Sequence, residues 1–102
     1  MKPVRLRPQA LADLQEEVRY YRRQASTATA EGMVAASRKV LDQIERNPGI
    51  GSSRIGESLS IPKLKNWRFT GFPLVWFYFE RDDFVDVARL LGERQDILSI
   101  LK

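Results

Sequence analysis

The chain contains no cysteine and no histidine. Without cysteine it can form neither a disulfide nor a thiolate metal site, a composition that suits a reducing compartment. Without histidine it lacks the usual general base near neutral pH and the commonest metal ligand. Ser52 and Ser53 have no histidine to activate them, which excludes a serine-hydrolase triad. The short Gly49–Gly51 stretch follows no strand, so it is not a dinucleotide fingerprint, and we expect no metal and no cofactor.

Long apolar runs are also missing from the sequence. The longest, Phe72–Phe79, is far too short to span a bilayer, and Met1–Arg7 carries no apolar run of the kind found in a signal peptide. We therefore expect a cytoplasmic protein that makes no contact with a membrane. Its 102 residues are close to the commonest domain size, which predicts a single domain over residues 1–102.

The charge of the chain is only mildly positive. Its 17 basic and 13 acidic residues give a net charge of +4. Such a surplus suits an acidic partner or nucleic acid. It fits a plain solvated surface equally well, so the charge alone does not select a partner.

Apolar residues at helical spacing predict two helices in the first half of the chain. The first covers Pro8–Gln24, where a proline suits the first turn, and we expect Glu16 and Glu17 on its exposed faces. The second covers Ala30–Asn47 and stops there because the residue before a proline avoids the helical region. The break at Ser26–Thr29 is short, so the two helices should form an antiparallel hairpin.

The second half of the chain predicts strands that follow a long loop. Asn47–Lys65 is rich in turn residues and has no apolar period, so we interpret it as the loop. Gln95–Leu101 fits a short helix or a strand equally well. These segments predict an α+β fold with an N-terminal strand, an antiparallel helix hairpin and a mainly antiparallel sheet of about four strands. The predicted strands are Pro3–Leu6, Trp67–Thr70, Phe72–Phe79 and Phe84–Leu91.

The strand Phe72–Phe79 is apolar on both of its faces. Such a strand needs cover on both faces, and the two helices can shield only one of them. We therefore expect a partner whose acidic, amphipathic segment lays apolar anchors into a groove on this chain. Tyr20, Tyr21 and Trp76 are the candidate residues that bind it, because aromatic side chains dominate binding energy. The two faces of the strand consist of Leu74, Trp76 and Tyr78, and of Val75, Phe77 and Phe79.

The order and spacing of several short motifs resemble those of a known toxin family. Together they are similar to the ParE branch of the RelE/ParE toxins of bacterial type II toxin–antitoxin systems. ParE-like sequences usually place a histidine after the last strand, where this chain has Gly92, and Gln95 replaces an arginine. The motifs that carry the resemblance are Pro8–Leu14, Asn47–Gly51 followed by the basic Arg54, Phe72–Tyr78, Val85–Leu91 and Gly92–Asp96.

The superfamily that the chain resembles divides by target. RelE-like members are ribosome-dependent mRNA nucleases that use Lys and Arg side chains and a C-terminal Tyr or His. In this chain Pro73 stands in place of an arginine on a strand, Leu64 or Asn66 in place of a lysine, and Ile100 in place of the C-terminal Tyr or His. Among the nuclease side chains, only one arginine has a counterpart here, which is Arg94. The resemblance therefore implies a ParE-like toxin that inhibits DNA gyrase by binding and is not an enzyme. It also implies a cognate ParD-like antitoxin that neutralises the toxin in a hetero-oligomer.

Three hypotheses stay open at this point: a gyrase poison, a RelE-like mRNA endonuclease with a rebuilt site, and a degenerate member that only binds its antitoxin. For the first we predict that Arg94, Asp96, Ile97 and Ile100 bind the target. The competing interpretation is structural. In it, Arg94 forms a salt bridge with Asp96 or Glu93, and the apolar C-terminal end covers the sheet.

Overall fold

The computed structural model describes residues 1–101 and begins with a short strand and two long helices. Strand β1 is Val4–Leu6, helix α1 is Pro8–Gln24 and helix α2 is Thr27–Arg46. Proline stands at the start of α1, where its missing N–H costs no helical hydrogen bond. The Ser26 hydroxyl caps α2 by accepting a 3.0 Å hydrogen bond from the Thr29 N–H. The predicted helix hairpin is therefore confirmed, with α2 starting three residues earlier than the sequence indicated.

The remaining strands complete a four-stranded sheet in the order β1-β4-β3-β2. Strand β2 is Leu64–Arg68, β3 is Leu74–Glu80 and β4 is Val85–Gly92. β3 pairs antiparallel with both β2 and β4, whereas β1 runs parallel to β4. The predicted α+β fold with a mainly antiparallel sheet is confirmed.

The segment between α2 and β2 differs from the predicted loop. It contains a 3-10 turn at Pro48–Ile50 and a short helix, α3, at Arg54–Ser58. Strand β2 also begins earlier than predicted, because Lys63 adopts a positive φ of 68° and turns the chain directly before it. The C-terminal end, left open between helix and strand, forms helix α4 at Ile97–Leu101.

Helices α1 and α2 cover one face of the sheet, which we call the first face. Trp76 lies at the centre of this core with 0% exposure. Its indole N–H donates a 3.3 Å hydrogen bond to the Ser37 carbonyl, so even its polar atom is satisfied inside the protein. Besides Trp76 the core includes Met33, Val40, Ile44, Leu74, Tyr78, Val85, Val87 and Leu90.

The second face of the sheet is covered in part by the chain itself. Its buried residues are Leu64, Val75, Phe77 and Leu91. Ile55 of α3 and Ile97 and Ile100 of α4 pack against them, so two five-residue helices supply cover that the sequence led us to expect from a partner. No helix within residues 1–101 has the length and apolar character needed to cross a membrane.

Candidate functional site

The C-terminal segment, residues 92–101, is tied to α1 by Arg94. The Arg94 Nη2 atom donates hydrogen bonds of 3.0 and 3.2 Å to the two carboxylate oxygens of Glu17. The guanidinium carbon also lies 3.9 Å from the centre of the Tyr20 ring, close enough for a cation–π contact. Arg94 therefore pairs with neither Asp96 nor Glu93, and Glu93 instead pairs with Arg68.

Glu17 corrects a prediction made from the sequence. We expected it on an exposed helix face, yet it is only 4% exposed. A carboxylate is buried at this level only when it is paired, and the Arg94 guanidinium supplies the pair. The buried carboxylate thus fixes where the C-terminal segment leaves the sheet.

Local hydrogen bonds shape the C-terminal segment before it reaches α4. The Gly92 N–H donates to the Gln95 side-chain oxygen at 2.6 Å, so Gln95 closes the turn that follows β4. Asp96 begins α4 by accepting hydrogen bonds from the Ser99 N–H at 3.3 Å and the Ser99 hydroxyl at 2.8 Å. The Asp96 carboxylate is itself exposed and so is accessible to a partner.

The apolar side chains of helix α4 differ in burial: some pack against the protein and one faces the solvent. Ile97, Ile100 and Leu101 are partly buried against the second face, whereas Leu98 is 49% exposed. Sequence reasoning selected Ile97 and Ile100 as target contacts and missed Leu98. Helical spacing does not single it out, because Leu98 stands three residues before the partly buried Leu101 and so lies near the same helix face.

Three aromatic rings form an edge-to-face cluster where α1 ends. The ring centres of Tyr20 and Tyr21 lie 5.4 Å apart, and those of Tyr21 and Phe72 lie 5.4 Å apart. Burial raises the pKa of the Tyr21 hydroxyl above its usual range. Tyr20 also contacts Arg94, so the candidate antitoxin surface and the C-terminal segment are continuous.

Trp76 is not part of this aromatic cluster and does not reach the surface. Its side chain is enclosed between the sheet and the helix hairpin. A binding anchor must be exposed, so the structure corrects the expectation that Trp76 contacts an antitoxin. Of the three predicted anchors, only Tyr20 and Tyr21 remain.

Residues 4–97 match the protein family described as ParE toxin of type II toxin-antitoxin system, parDE. The chain belongs to this ParE toxin family. Among solved structures, a similar one is described as the chromosomal ParDE TA system from P. aeruginosa. The two share the fold, with a TM-score of 0.76 and 15% identity over 90% of this chain and 96% of that chain. No curated protein sequence matches this chain.

At the positions where RelE-like nucleases carry their catalytic side chains, this ParE-family chain has residues of other types. Leu64 is buried in the core of the second face, and Ile100 packs against the same core. Asn66 forms a backbone bridge with Ser52 at the edge of β2, with two hydrogen bonds of 2.9 Å. Over the part of the chain that the structure describes, no group of three acidic side chains is placed to hold a metal ion.

A second charged cluster of this ParE-family chain lies on the other side of the sheet, around Asp86. Arg7 makes two hydrogen bonds to the Asp86 carboxylate, at 2.9 and 2.8 Å. Arg81 makes two more to the same carboxylate, at 3.2 and 2.9 Å. The hydrogen bonds from Arg7, and after them those from Arg81, hold the pKa of Asp86 below its usual range.

This lowered pKa predicts that Asp86 stabilises the folded protein only while its carboxylate is ionised. The contribution is present above the ordinary pKa of Asp, about 3.9, and is lost as the pH falls through the lower folded-state pKa. Asp86→Asn should lower the free energy of unfolding by about 1 kcal/mol at pH 6, because both arginines are substantially exposed and solvent screens the pairs. The gap in the free energy of unfolding between the Asp86→Asn variant and the parent protein should narrow as the pH falls toward 2.

Thermal unfolding followed by circular dichroism from pH 6 to pH 2 measures this gap. Asp82→Asn is the matched control, since Asp82 lies exposed in the neighbouring turn. The control should follow the parent protein throughout. A constant difference between the Asp86→Asn variant and the parent across this pH range would contradict the assignment.

Proposed function

We propose that this chain inhibits DNA gyrase by binding and that a ParD-like antitoxin neutralises it. Membership of the ParE toxin family supports a toxin within a toxin–antitoxin pair. We further propose that residues 1–102 act as one toxin domain in the cytoplasm and form a hetero-oligomer with the antitoxin. Residue 102 lies outside the part that the structure describes.

The structure of the C-terminal segment is the observation that supports this proposal. The Arg94–Glu17 pair fixes its base and α4 presents Leu98 to solvent, so an apolar contact is held in place on a rigid support. Arginine is enriched among binding hot spots, and an exposed leucine held beside it adds apolar area that a partner can bury. We propose that the target contacts Arg94, Asp96 and Leu98, while Ile97 and Ile100 hold the helix against the sheet and expose only part of their surface.

The chemistry of the same segment supports binding over catalysis. The Arg94 guanidinium stays protonated at neutral pH, so it stabilises charge but cannot transfer a proton. Glu17 and Tyr20 already hold it, and Ile100 stands where RelE-like nucleases carry an aromatic residue or histidine. These features favour gyrase inhibition over ribosome-dependent mRNA cleavage.

We propose that the antitoxin docks on Tyr20 and Tyr21. Both rings are partly exposed at the end of α1, where Arg22 and Arg23 add exposed positive charge. An acidic, amphipathic segment suits this combination of aromatic anchors and arginines. Because Tyr20 contacts Arg94, an antitoxin placed here lies next to the proposed target surface.

Two assays run side by side test the proposed function. Purified protein should inhibit gyrase supercoiling and increase the amount of cleaved DNA, and it should leave mRNA intact on programmed ribosomes. Ribosome-dependent cleavage that disappears in Arg94→Ala would show the nuclease alternative instead. A folded protein that is inactive in both assays but still forms an antitoxin complex would identify a degenerate member.

A further inference from the structure

Strand β4 contains a β-bulge close to the C-terminal segment. The pairing with β3 shifts by one residue at Ala88, which is left without a partner of its own. Val87 belongs to the core of the first face before the bulge, and Leu90 belongs to it after the bulge. Strict alternation along the strand would have turned Arg89 into that core instead. The extra residue therefore sets which side chains at the end of β4 point toward the helix hairpin.

The bulge also changes which backbone groups of β4 bond to partners other than β3. Before it, odd-numbered residues pair with β1: the Val87 carbonyl accepts a 2.9 Å hydrogen bond from the Arg7 N–H. The β1 pairing goes no further, because α1 begins directly afterwards at Pro8. After the bulge, the N–H groups of the even-numbered Leu90 and Gly92 donate to side chains. The end of β4 thus depends on side chains for hydrogen bonds that a strand supplies earlier.

Asp13 of α1 is the side chain that bonds to Leu90. Its carboxylate accepts a 3.0 Å hydrogen bond from the Leu90 N–H, and bonds of 2.8 and 3.1 Å from the Arg89 guanidinium. The Asp13 side chain is only 11% exposed. A backbone N–H bonds more strongly to a carboxylate than to a neutral acceptor, and a buried N–H without a partner is costly. Asp13 therefore takes the place of a neighbouring strand just after the bulge.

Asp13 and Glu17 lie four residues apart, so both project from the same side of α1. Asp13 holds β4 directly after the bulge, and Glu17 holds Arg94 two residues after β4 ends. The two carboxylates fasten the end of the chain to α1 at two successive points. Because β4 leads directly into the C-terminal segment, the contact at Asp13 sets the direction from which Arg94 approaches Glu17.

We propose that Asp13 is a positioning residue for target binding. By accepting the Leu90 N–H, it fixes the direction of β4 after the bulge and thereby places Arg94 and helix α4 on the proposed target surface. Asp13 acts through these groups and does not itself contact the target. The link to target binding rests on the proposed function, whereas the placement of Arg94 does not.

Three substitutions separate positioning from general stability. Asp13→Ala removes the acceptor, whereas Asp13→Asn keeps an oxygen that can accept the Leu90 N–H but loses the charge beside Arg89. Asp86→Ala is the matched control, because Asp86 lies on the same strand before the bulge and also pairs with two arginines. Within residues 1–101, the Asp86 carboxylate accepts hydrogen bonds only from arginine side chains, so its loss releases no backbone group of β4.

Hydrogen exchange and NMR measure the placement without any target. In Asp13→Ala the Leu90 N–H should exchange about 100-fold faster relative to the Val85 N–H, which bonds to the chain before β1. The Arg94 side chain lies 3.9 Å from the Tyr20 ring, so its signals report its position and should shift in this variant. The control variant should keep the exchange ratio and the Arg94 signals of the parent protein.

A gyrase supercoiling assay measures the consequence for target binding. Asp13→Ala should inhibit about tenfold more weakly than Asp86→Ala, although both variants have lost ion pairs, and Asp13→Asn should stay within about threefold of the parent. Equal inhibition by the two alanine variants of an active inhibitor would overturn the inference. So would unchanged Leu90 exchange in Asp13→Ala. Equal losses in Asp13→Asn and Asp13→Ala would also overturn it, because they would assign the whole effect to the ion pair with Arg89.

The result for Asp13 is separable from the result for the proposed function. A parent protein that leaves gyrase active would contradict the proposed target, while Leu90 exchange and the Arg94 signals would still support or overturn placement by Asp13. If Asp13→Ala fails to fold, Asp13→Glu takes its place, since it keeps the negative charge beside Arg89 but moves the carboxylate away from the Leu90 N–H. It should show the same faster exchange and weaker inhibition, and parent-like behaviour would overturn the inference.

Discussion

Replacement of Leu98 by glutamate is expected to reduce gyrase inhibition about 100-fold while the free energy of unfolding stays within about 0.5 kcal/mol of the parent value. Leu98 is 49% exposed on α4, so a charged side chain there loses little burial. Ile97, Ile100 and Leu101 still pack against the second face in this variant. In a target complex, however, the same charge must be buried or left facing an apolar surface, which is costly.

Leu11→Glu is the matched control for this substitution. Leu11 is 47% exposed on α1, so both variants place the same charge at a half-exposed leucine. The supercoiling assay and growth arrest on expression measure function, and urea unfolding measures stability. Equal losses in both variants would point to a general effect of charge, and full activity of Leu98→Glu would remove α4 from the target surface.

A point substitution is sharper here than deletion of the C-terminal end. Deleting Leu98–Lys102 also removes Ile100 and Leu101, which pack against the core of the second face. Lys102 itself lies outside the described residues. A truncated protein therefore loses packing and target contact together, so its inactivity does not separate the two.

The helix hairpin was predictable because its signals are local. Pro8 marks the start of α1, Ser26 caps α2, and Pro48 stands two residues after α2 ends at Arg46. Strands β3 and β4 were also predictable, since apolar and aromatic runs on either side of a charged turn form a hairpin. In each case the residues that determine the element lie within it or next to it.

The features that escaped prediction depend on contacts between distant parts of the chain. Glu17 resembles any other surface glutamate until Arg94, 77 residues later, folds back over it. Helix α3 has only five residues, too few to show a helical period, and it still covers part of the second face. Trp76 was named as a candidate anchor although its sequence position favours the core, and the packed helix hairpin buries it completely.

The same long-range pair gives the second large prediction. Arg94→Ala should lower the free energy of unfolding by about 2 kcal/mol, since it leaves the Glu17 carboxylate buried without a cation. A fully buried pair would cost more, about 3–5 kcal/mol, but the Arg94 side chain is 41% exposed and solvent screens part of the interaction. The lost contact with the Tyr20 ring adds to the effect.

A double-mutant cycle with Glu17→Gln isolates the pair. Glu17→Gln removes the buried charge, so in the Arg94→Ala background it should recover about 1 kcal/mol of the loss. Urea unfolding followed by tryptophan fluorescence measures all four proteins. Arg22→Ala, an exposed arginine on the same helix as Glu17, is the control and should stay within about 0.5 kcal/mol of the parent. Additive effects of the two substitutions would contradict a coupled pair.

The cycle also separates two roles of Arg94 in toxicity. If Arg94 only positions the C-terminal segment, the double variant should regain gyrase inhibition together with stability, because the buried charge that disturbs the segment is gone. If Arg94 also contacts the target, as we propose, the double variant should be folded yet remain at least about tenfold weaker as an inhibitor. We expect the second result, because the Arg94 side chain is still 41% exposed although Glu17 and the Tyr20 ring both contact its guanidinium. Full recovery of inhibition in the stable double variant would make Arg94 a purely structural residue.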